Sequence, residues 1–111
     1  MTVNILGTEY TIIEQSEKEN PKMVGNNGIC EQYSKKIIVI PLSEYANEPN
    51  AFEKVEDFHK KVIRHEVIHA FFGESGLMGQ CEYAENEELV DWIAIQFPKI
   101  AKVFTELGVN E

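Results

Sequence analysis

The stretch VIRHEVIHAFFGESGL, residues 62–77, contains the strongest structural signal of this chain. Within it and in the segment before it, apolar residues recur every three or four positions, which is the period of an amphipathic α-helix. The pattern predicts one long helix from about Asn50, with Gly73 as its C-terminal stop. His65 and His69 fall in the last two turns of this helix. The residues expected on its inward face are Phe52, Val55, Phe58, Val62, Val67 and Phe71.

The segments before this helix are rich in β-branched residues separated by turn signals. Residues 3–15, VNILGTEYTIIEQ, predict a hairpin in which Gly7 and Thr8 form a two-residue type II′ turn. Residues 29–42, ICEQYSKKIIVIPL, predict a second hairpin with a polar turn over residues 33–36 and a strand over residues 37–40 that Pro41 ends. We therefore expect three or four antiparallel strands, joined by a polar connection over residues 16–28.

A second helix is predicted after the glycine-containing loop of residues 73–85. It begins near Asn86, and Pro98 restarts it as a terminal segment that ends near Gly108. Strands followed by helices predict an α+β fold, in which a mainly antiparallel sheet packs on the long helix and the C-terminal helix within a single domain, residues 1–111. The residues expected to face inward on the second helix are Leu89, Val90, Ile93 and Phe97.

Length and composition narrow the classes of function. A chain of 111 residues forms one compact domain, so any site is built from one core and its loops. A formal charge of −9 argues against nucleic-acid or membrane-surface partners. The first fifteen residues lack a basic segment followed by a long apolar one, so we expect a cytoplasmic protein. Cys30 and Cys81 are then expected to be free thiols.

The two histidines have the spacing of a metal clamp. Because residues four apart share one face of a helix, His65 and His69 can direct two imidazoles at one point. Glu66 is rotated by about 100° from His65, which keeps its carboxylate near a bound metal but free to take a proton from water. The alternative is a histidine pair with a packing role, but the surrounding residues would bury such a pair at a cost. These residues are Val67, Ile68, Ala70, Phe71 and Phe72.

A catalytic zinc needs a third protein ligand, and the segment ENEELVDWIA, residues 85–94, offers one. If the helix starts near Asn86, Glu87 and Asp91 lie one turn apart on one face, so one can bind the metal and the other a ligand imidazole. Glu88 points elsewhere, although a start shifted by one residue would favour it over Glu87. Acidic residues are also common at helix N-termini without any ligand. Two imidazoles and one carboxylate predict Zn²⁺, with Mn²⁺, Fe²⁺ and Co²⁺ left open.

The segments HEVIH, residues 65–69, and NEELVD, residues 86–91, together resemble the glutamate-zincins, which carry H-E-x-x-H and a later E-x-x-x-D. The resemblance implies that His65, His69 and Glu87 bind zinc, that Glu66 is the general base, and that Asp91 supports a ligand histidine. More closely, the chain resembles the small phage and prophage zinc metallopeptidases related to the ImmA/IrrE group and the minigluzincins. That resemblance implies a zincin-like fold, peptide-bond hydrolysis and a protein substrate inside the cell.

In such folds an edge strand beside the metal aligns the substrate, and residues 37–40 would be that strand here; a plain core strand is the alternative. The larger relatives also have a histidine that stabilises the oxyanion. His59, six residues before His65, is expected to face away from the metal. Tyr83 and Tyr45 are the remaining candidates to donate a hydrogen bond to the oxyanion, and an ordinary half-buried tyrosine is the alternative for each.

Three hypotheses follow. The first is a zinc metallopeptidase in which Glu66 activates water. The second is a non-catalytic zinc-binding domain with a regulatory or interaction role, whose fourth ligand would be Cys81, because structural zinc sites are closed by a fourth protein ligand. The third is an α+β domain without metal, which requires both motifs to be accidental. Oligomeric state and the identity of the peptide or protein substrate stay open.

Overall fold

The structure, a computed structural model, describes residues 1–46 and 53–110. Four strands come first and helices follow, which confirms the α+β class. The strands are β1 (Thr2–Ile5), β2 (Thr8–Glu14), β3 (Gly28–Glu31) and β4 (Lys36–Val39). The α-helices are α1 (Leu42–Ala46), α2 (Val55–Glu74) and α3 (Glu87–Leu107). Short 3-10 turns are Pro21–Met23, Leu77–Gly79 and Glu82–Glu85.

The sheet is mixed, so the prediction of a mainly antiparallel sheet was wrong. Its strand order is β1-β2-β4-β3, with β1 antiparallel to β2 and β3 antiparallel to β4. The central pair, β2 and β4, is parallel, in a register that sets Thr11 beside Lys36. The reason is the connection after β2, because it carries the chain to the far edge before β3 turns back into β4. Parallel neighbours require such a crossover.

The first hairpin turns one residue earlier than predicted. Ile5 pairs with Thr8, so the two loop residues are Leu6 and Gly7, and both have positive φ, +51° and +93°. Positive φ at both positions is the mark of a type I′ turn, whose twist matches that of the flanking strands. The Asn4 side chain accepts a hydrogen bond from the Gly7 N–H at 2.8 Å, which stabilises the turn.

Strand β4 lies inside the sheet and is buried on both faces. Its alternate residues join two apolar clusters, as expected for an internal strand with a continuous apolar sequence. The cluster under α2 contains Ile5, Tyr10, Ile37, Val39, Val62 and Ala70. The cluster on the opposite face contains Met23, Ile38 and Ile40. Residues 37–40 are therefore core residues, and the edge strand next to β4 is β3, which corrects our expectation for the substrate-aligning edge.

Helix α2 covers one face of the sheet, and its ends differ from the prediction. Of the expected first turn, Asn50 and Phe52 lie outside the described residues, and the helix begins at Val55. It continues through Gly73 to Glu74, because Gly73 is used for packing: an added Cβ there would overlap the Gln32 carboxamide. The residue with positive φ after the helix is Gly76.

Phe71 was predicted to face inward but is 41% exposed. Successive residues of an α-helix are rotated by about 100°, so Phe71, nine residues after Val62, lies about 180° round the helix from it. Val62 lies in the buried stripe, and Phe71 therefore lies on the opposite side of α2. The apolar surroundings predicted for the HExxH motif are therefore provided by Ala70 and by the sheet rather than by Phe71.

Helix α3 begins where the sequence predicted. The Asn86 side chain accepts a hydrogen bond from the Leu89 N–H at 2.7 Å, which caps the helix N-terminus. Gly108, with φ +69°, ends the helix one residue after Leu107. Phe97 was expected to face inward and is instead 55% exposed.

Pro98 does not restart α3, because the helix runs through it without interruption. A proline has no N–H, so the carbonyl four residues earlier, that of Ala94, loses its helical donor. The Arg64 side chain of α2 supplies the missing bond, with Nε 2.6 Å from the Ala94 oxygen. This replacement satisfies a buried backbone acceptor and joins the two long helices.

Helix α1 directly follows Pro41, so Tyr45 is on a helix. Within residues 1–46 and 53–110, no helix combines the length and apolar character that crossing a membrane requires.

Candidate metal centre

The two histidines of the motif converge near the middle of α2. His65 and His69 are one turn apart, and their Nε2 atoms are 3.1 Å from each other. Both side chains are largely buried, with 15% and 11% of their surface exposed. The i, i+4 spacing therefore brings two imidazole nitrogens to one point, as predicted from the sequence.

Glu87, the first residue of α3, completes the cluster. Its Oε2 lies 2.9 Å from His65 Nε2, and its Oε1 lies 3.0 Å from His69 Nε2. The Asn86 cap fixes the start of α3 and thereby turns Glu87 toward α2. Among the described residues, these three form the one group of His, Cys, Asp or Glu side chains whose ligand atoms converge, all within 4.8 Å. Glu88 and Cys81 lie outside this group.

The geometry of the three side chains fits a metal ion. A tetrahedral zinc ion with bonds of about 2.1 Å holds its ligand atoms about 3.4 Å apart, and the separations here are 2.9, 3.0 and 3.1 Å. His65 Nδ1 is 3.0 Å from Asp91 Oδ1, and a neutral imidazole that donates there leaves a lone pair on Nε2. That lone pair faces the Glu87 carboxylate, an arrangement that a cation or a proton placed between them would satisfy.

Asp91 contacts the Nδ1 side of the His65 ring, away from the cluster, and is itself bound by Lys61. The Lys61 ammonium donates to Asp91 Oδ1 at 2.9 Å, the same oxygen that faces His65. Partial burial opposes ionisation of Asp91, but the hydrogen bonds from Lys61 and His65 outweigh it and lower the pKa of the carboxyl. Asp91 therefore stays ionised and orients the imidazole, as the acceptor behind a metal-binding histidine does.

Glu87 is also favoured in its charged form. Burial again opposes ionisation, and the neighbouring His69 and His65 outweigh it, so the pKa of Glu87 is lowered. A carboxylate that is ionised at neutral pH is ready to bind a cation without first releasing a proton.

Glu66 lies beside the cluster but outside it. The residue is 7% exposed, and among the described residues its carboxylate has no hydrogen-bond partner. Burial, with a smaller contribution from the Glu87 charge, raises the pKa of Glu66 to about 7, although His65 acts in the opposite direction. A carboxyl group with a pKa near neutrality can both accept and donate a proton at physiological pH.

Gly28 of β3 makes room for Glu66. A Cβ added at Gly28 would lie 2.9 Å from Glu66 Cγ and 3.0 Å from Val62 Cγ1. Since ordinary carbon contacts are longer, the glycine allows the strand backbone to approach the Glu66 side chain. The edge strand and the motif helix are therefore in direct contact beside the cluster.

Gln32 supports the histidines from the other side. Its amide donates to the His69 carbonyl oxygen at 3.0 Å, and its oxygen accepts from the Tyr10 hydroxyl at 3.0 Å. The same tyrosine donates to Glu74, which also accepts from Lys35. Side chains of β2, of the β3–β4 turn and of the end of α2 thus fix the helix that carries the ligands.

Two cavities open beside Glu66 and Glu87. The larger, of about 500 Å³, is lined by both carboxylates, His69 and a patch of apolar and sulfur-containing side chains. The smaller, of about 280 Å³, is lined by both carboxylates, His65, Lys61 and Asp91. Gly28 borders both cavities, so they meet along the start of β3. This apolar and sulfur-containing patch consists of Ile29, Cys30 and Met78.

The two candidate tyrosines and His59 lie outside the cluster. Tyr83 is 53% exposed, and its pKa is raised first by a hydrogen bond with Cys81. The Tyr45 hydroxyl donates to the Asn27 carbonyl oxygen at 3.3 Å. His59 faces the Ile40 carbonyl oxygen, 3.1 Å from its Nε2, and therefore does not join the other histidines.

Three residues that support the cluster, Lys61, Gly28 and Gln32, were not predicted from the sequence. Lys61 had a usable signal, because it lies four residues before His65 and so shares its helix face. Gly28 and Gln32 had none, since their roles depend on how the edge strand packs on α2.

Comparisons of the chain with protein-family models, with curated proteins and with solved structures give no significant match.

Proposed function

We propose that this protein is a zinc-dependent metallopeptidase that hydrolyses peptide bonds in peptide or protein substrates. The observation that carries the proposal is the pairing of two features: three converging ligand atoms from His65, His69 and Glu87, and a buried carboxylate, Glu66, beside them. The resemblance of HEVIH and NEELVD to the glutamate-zincins supports the same activity. Both cysteines are free, which fits a cytoplasmic location.

In this proposal each residue has a defined role. His65, His69 and Glu87 hold the ion, and Asp91 keeps the His65 ring in the tautomer whose Nε2 faces the site. When bound, zinc supplies a Lewis acid that polarises a carbonyl and makes water more acidic. Glu66 takes the proton from the attacking water and delivers it to the departing amine, a role for which its pKa of about 7 is suited.

The substrate is proposed to lie along β3. That strand pairs with β4 on one side, and among the described residues no strand pairs with its other side. An extended peptide can add to such an edge by main-chain hydrogen bonds. The two cavities that Glu66 borders would then receive side chains from the two sides of the cleaved bond.

The alternative, a zinc-binding domain without catalysis, is less well supported. A structural zinc site is closed by a fourth protein ligand. In the described part of the chain, the converging group has three members and Cys81 is not one of them. A buried Glu66 without a hydrogen-bond partner also has no role in a purely structural site.

The test measures metal content and peptide cleavage on the same preparations. The chain is purified without chelators or a histidine tag, its zinc content is determined, and a quenched-fluorescence peptide library reports cleavage. Glu66→Gln should retain zinc and lose about 10²–10⁴-fold in turnover, the usual contribution of a general base. His65→Ala should lose both zinc and turnover, and Glu85→Gln, a nearby exposed acid, serves as the matched control. A zinc-loaded Glu66→Gln variant that cleaves as fast as the unmodified chain would rule out the assigned base.

A further inference from the structure

Helix α3 carries a heptad pattern that continues beyond the part packed on α2. Six apolar residues follow one another at alternating intervals of three and four: Val90, Ile93, Phe97, Ile100, Phe104 and Leu107. This spacing is that of the a and d positions of a coiled coil, which form a single seam along the helix. We call these six residues the α3 seam.

The seam is buried at its start and exposed at its end. Val90 is fully buried against the domain, whereas Phe97, Phe104 and Leu107 are 55%, 46% and 68% exposed. Residues 102–110 are all exposed, and the radius of gyration of 15.0 Å exceeds the roughly 13 Å of a compact domain of this size. Half of a coiled-coil seam is therefore without a facing helix among the described residues.

The positions beside the seam carry no charge. In a coiled coil the e and g residues border the contact, and like charges there would keep identical helices apart. Here those positions are Ala94, Gln96, Ala101 and Val103. The charged residues of this half, Lys99, Lys102 and Glu106, occupy positions farther from the seam. A second copy can therefore approach without burying a charge, whereas a partner that is recognised by charge would gain nothing from these positions.

We propose that the α3 seam binds the α3 seam of a second copy of this chain. The surface involved fits a weak dimer. With roughly 200 Å² for an aromatic side chain, the exposed parts of Phe97, Phe104, Leu107 and Val103 leave roughly 400 Å² of apolar surface per copy. Homodimer interfaces are about 65% apolar, so two copies would bury roughly 1,200 Å² in total. That area lies at the lower limit for specific association, and the dimer depends on concentration.

The test is sedimentation equilibrium of the full chain over about 1 µM to about 1 mM, a range that covers weak interfaces of this size. The expected result is a rise from the monomer mass of 12.7 kDa toward twice that mass. Added salt should favour the dimer, because it screens the repulsion between two chains that each have a charge of −9. A monomer throughout the range would overturn the proposal.

Two variants locate the contact. The double variant Phe97→Glu/Phe104→Glu changes exposed seam residues, so it should remain monomeric while circular dichroism shows an unchanged helix content. Ile95→Glu is the matched control, since Ile95 is 42% exposed on the same helix but lies off the seam. Dimerisation that survives the double variant, or that Ile95→Glu abolishes equally, would refute the assignment to the seam. The metal ligands are unchanged in all variants, so zinc content reports separately on the candidate site.

Discussion

Replacing Gly28 with alanine tests whether the contact between β3 and Glu66 positions the proposed general base. The new Cβ would lie 2.9 Å from Glu66 Cγ and 3.0 Å from Val62 Cγ1, against about 3.5 Å or more for carbon atoms in ordinary contact. Both contacts are too short, so both side chains must shift by about half an ångström. Val62 is 4% exposed and constrained by the core, whereas Glu66 borders two cavities, so Glu66 should take the larger displacement.

The two consequences of this movement differ in size. Overpacking lowers the free energy of unfolding by about 1–3 kcal/mol. Replacing a strand glycine with alanine raises it by about 0.5–1 kcal/mol, because glycine loses more conformational freedom on folding. The net loss of unfolding free energy should therefore be about 1 kcal/mol. Catalysis should suffer more, because a displacement of about 1 Å in a catalytic group can cost about 10²-fold. We expect turnover to fall about tenfold for half that displacement.

Urea unfolding, zinc titration and peptide turnover measured on Gly28→Ala separate these effects. Zinc affinity should stay close to that of the unmodified chain, since the three atoms nearest to the added Cβ belong to Glu66 and Val62 and not to His65, His69 or Glu87. Gly79→Ala is the matched control, because a Cβ at Gly79 meets nothing within 4 Å. Equal turnover by Gly28→Ala and Gly79→Ala, or a fall in zinc affinity as large as that in turnover, would refute the positioning role of Gly28.

Two further predictions concern the third ligand and the acid stability of the fold. Glu87→Ala should weaken zinc binding far more than Glu88→Ala, because only Glu87 reaches the histidines; isothermal titration with zinc measures both, and the reverse order would move the ligand by one residue. Glu74 accepts hydrogen bonds from Lys35, Tyr10 and Thr8, which lower its pKa from 4.5 to about 2. A lowered pKa stabilises the fold above pH 4.5 and loses this effect as the pH falls toward about 2. Glu74→Gln should therefore have a lower free energy of unfolding than the unmodified chain at pH 6, and the difference should shrink as the pH falls. Urea unfolding measures this difference at each pH. A difference that stays constant across the range would contradict the assignment.

The convergence of the candidate metal ligands could be predicted because its geometry is mostly local. His65 and His69 are joined by one turn of helix, so their convergence follows from helical geometry alone. Glu87 and Asp91 share a face for the same reason, and the Asn86 cap is a local signal for where that face begins. What the sequence did not provide was the approach of α3 to α2. The resemblance to known peptidases supplied that expectation, and the structure brings the four residues together.

The sheet was harder to predict because strand order depends on long-range packing. Residues 37–40 have the composition of a strand in either arrangement, since a continuous apolar run suits an internal strand with either neighbour. Whether β4 lies beside β2 or at an edge is decided by the path of residues 15–27, which carry few periodic signals. The surroundings of the tyrosines were not predicted for a related reason: Tyr83 hydrogen-bonds to Cys81 and Tyr45 to the Asn27 carbonyl, and no short pattern specifies where these partners lie.

The hydrogen bond from Arg64 to the Ala94 carbonyl couples two positions that are distant in the sequence. With Pro98 present, loss of the arginine would leave a backbone oxygen without a donor; with an ordinary residue at 98, the arginine would be dispensable at that carbonyl. The order of substitutions therefore matters. Once Pro98 is replaced, Arg64 can be replaced without loss of this hydrogen bond, whereas replacing Arg64 first destabilises the protein. Since position 64 adjoins the first histidine of the motif, the freedom of that helix to vary is set in part by a proline on the other helix.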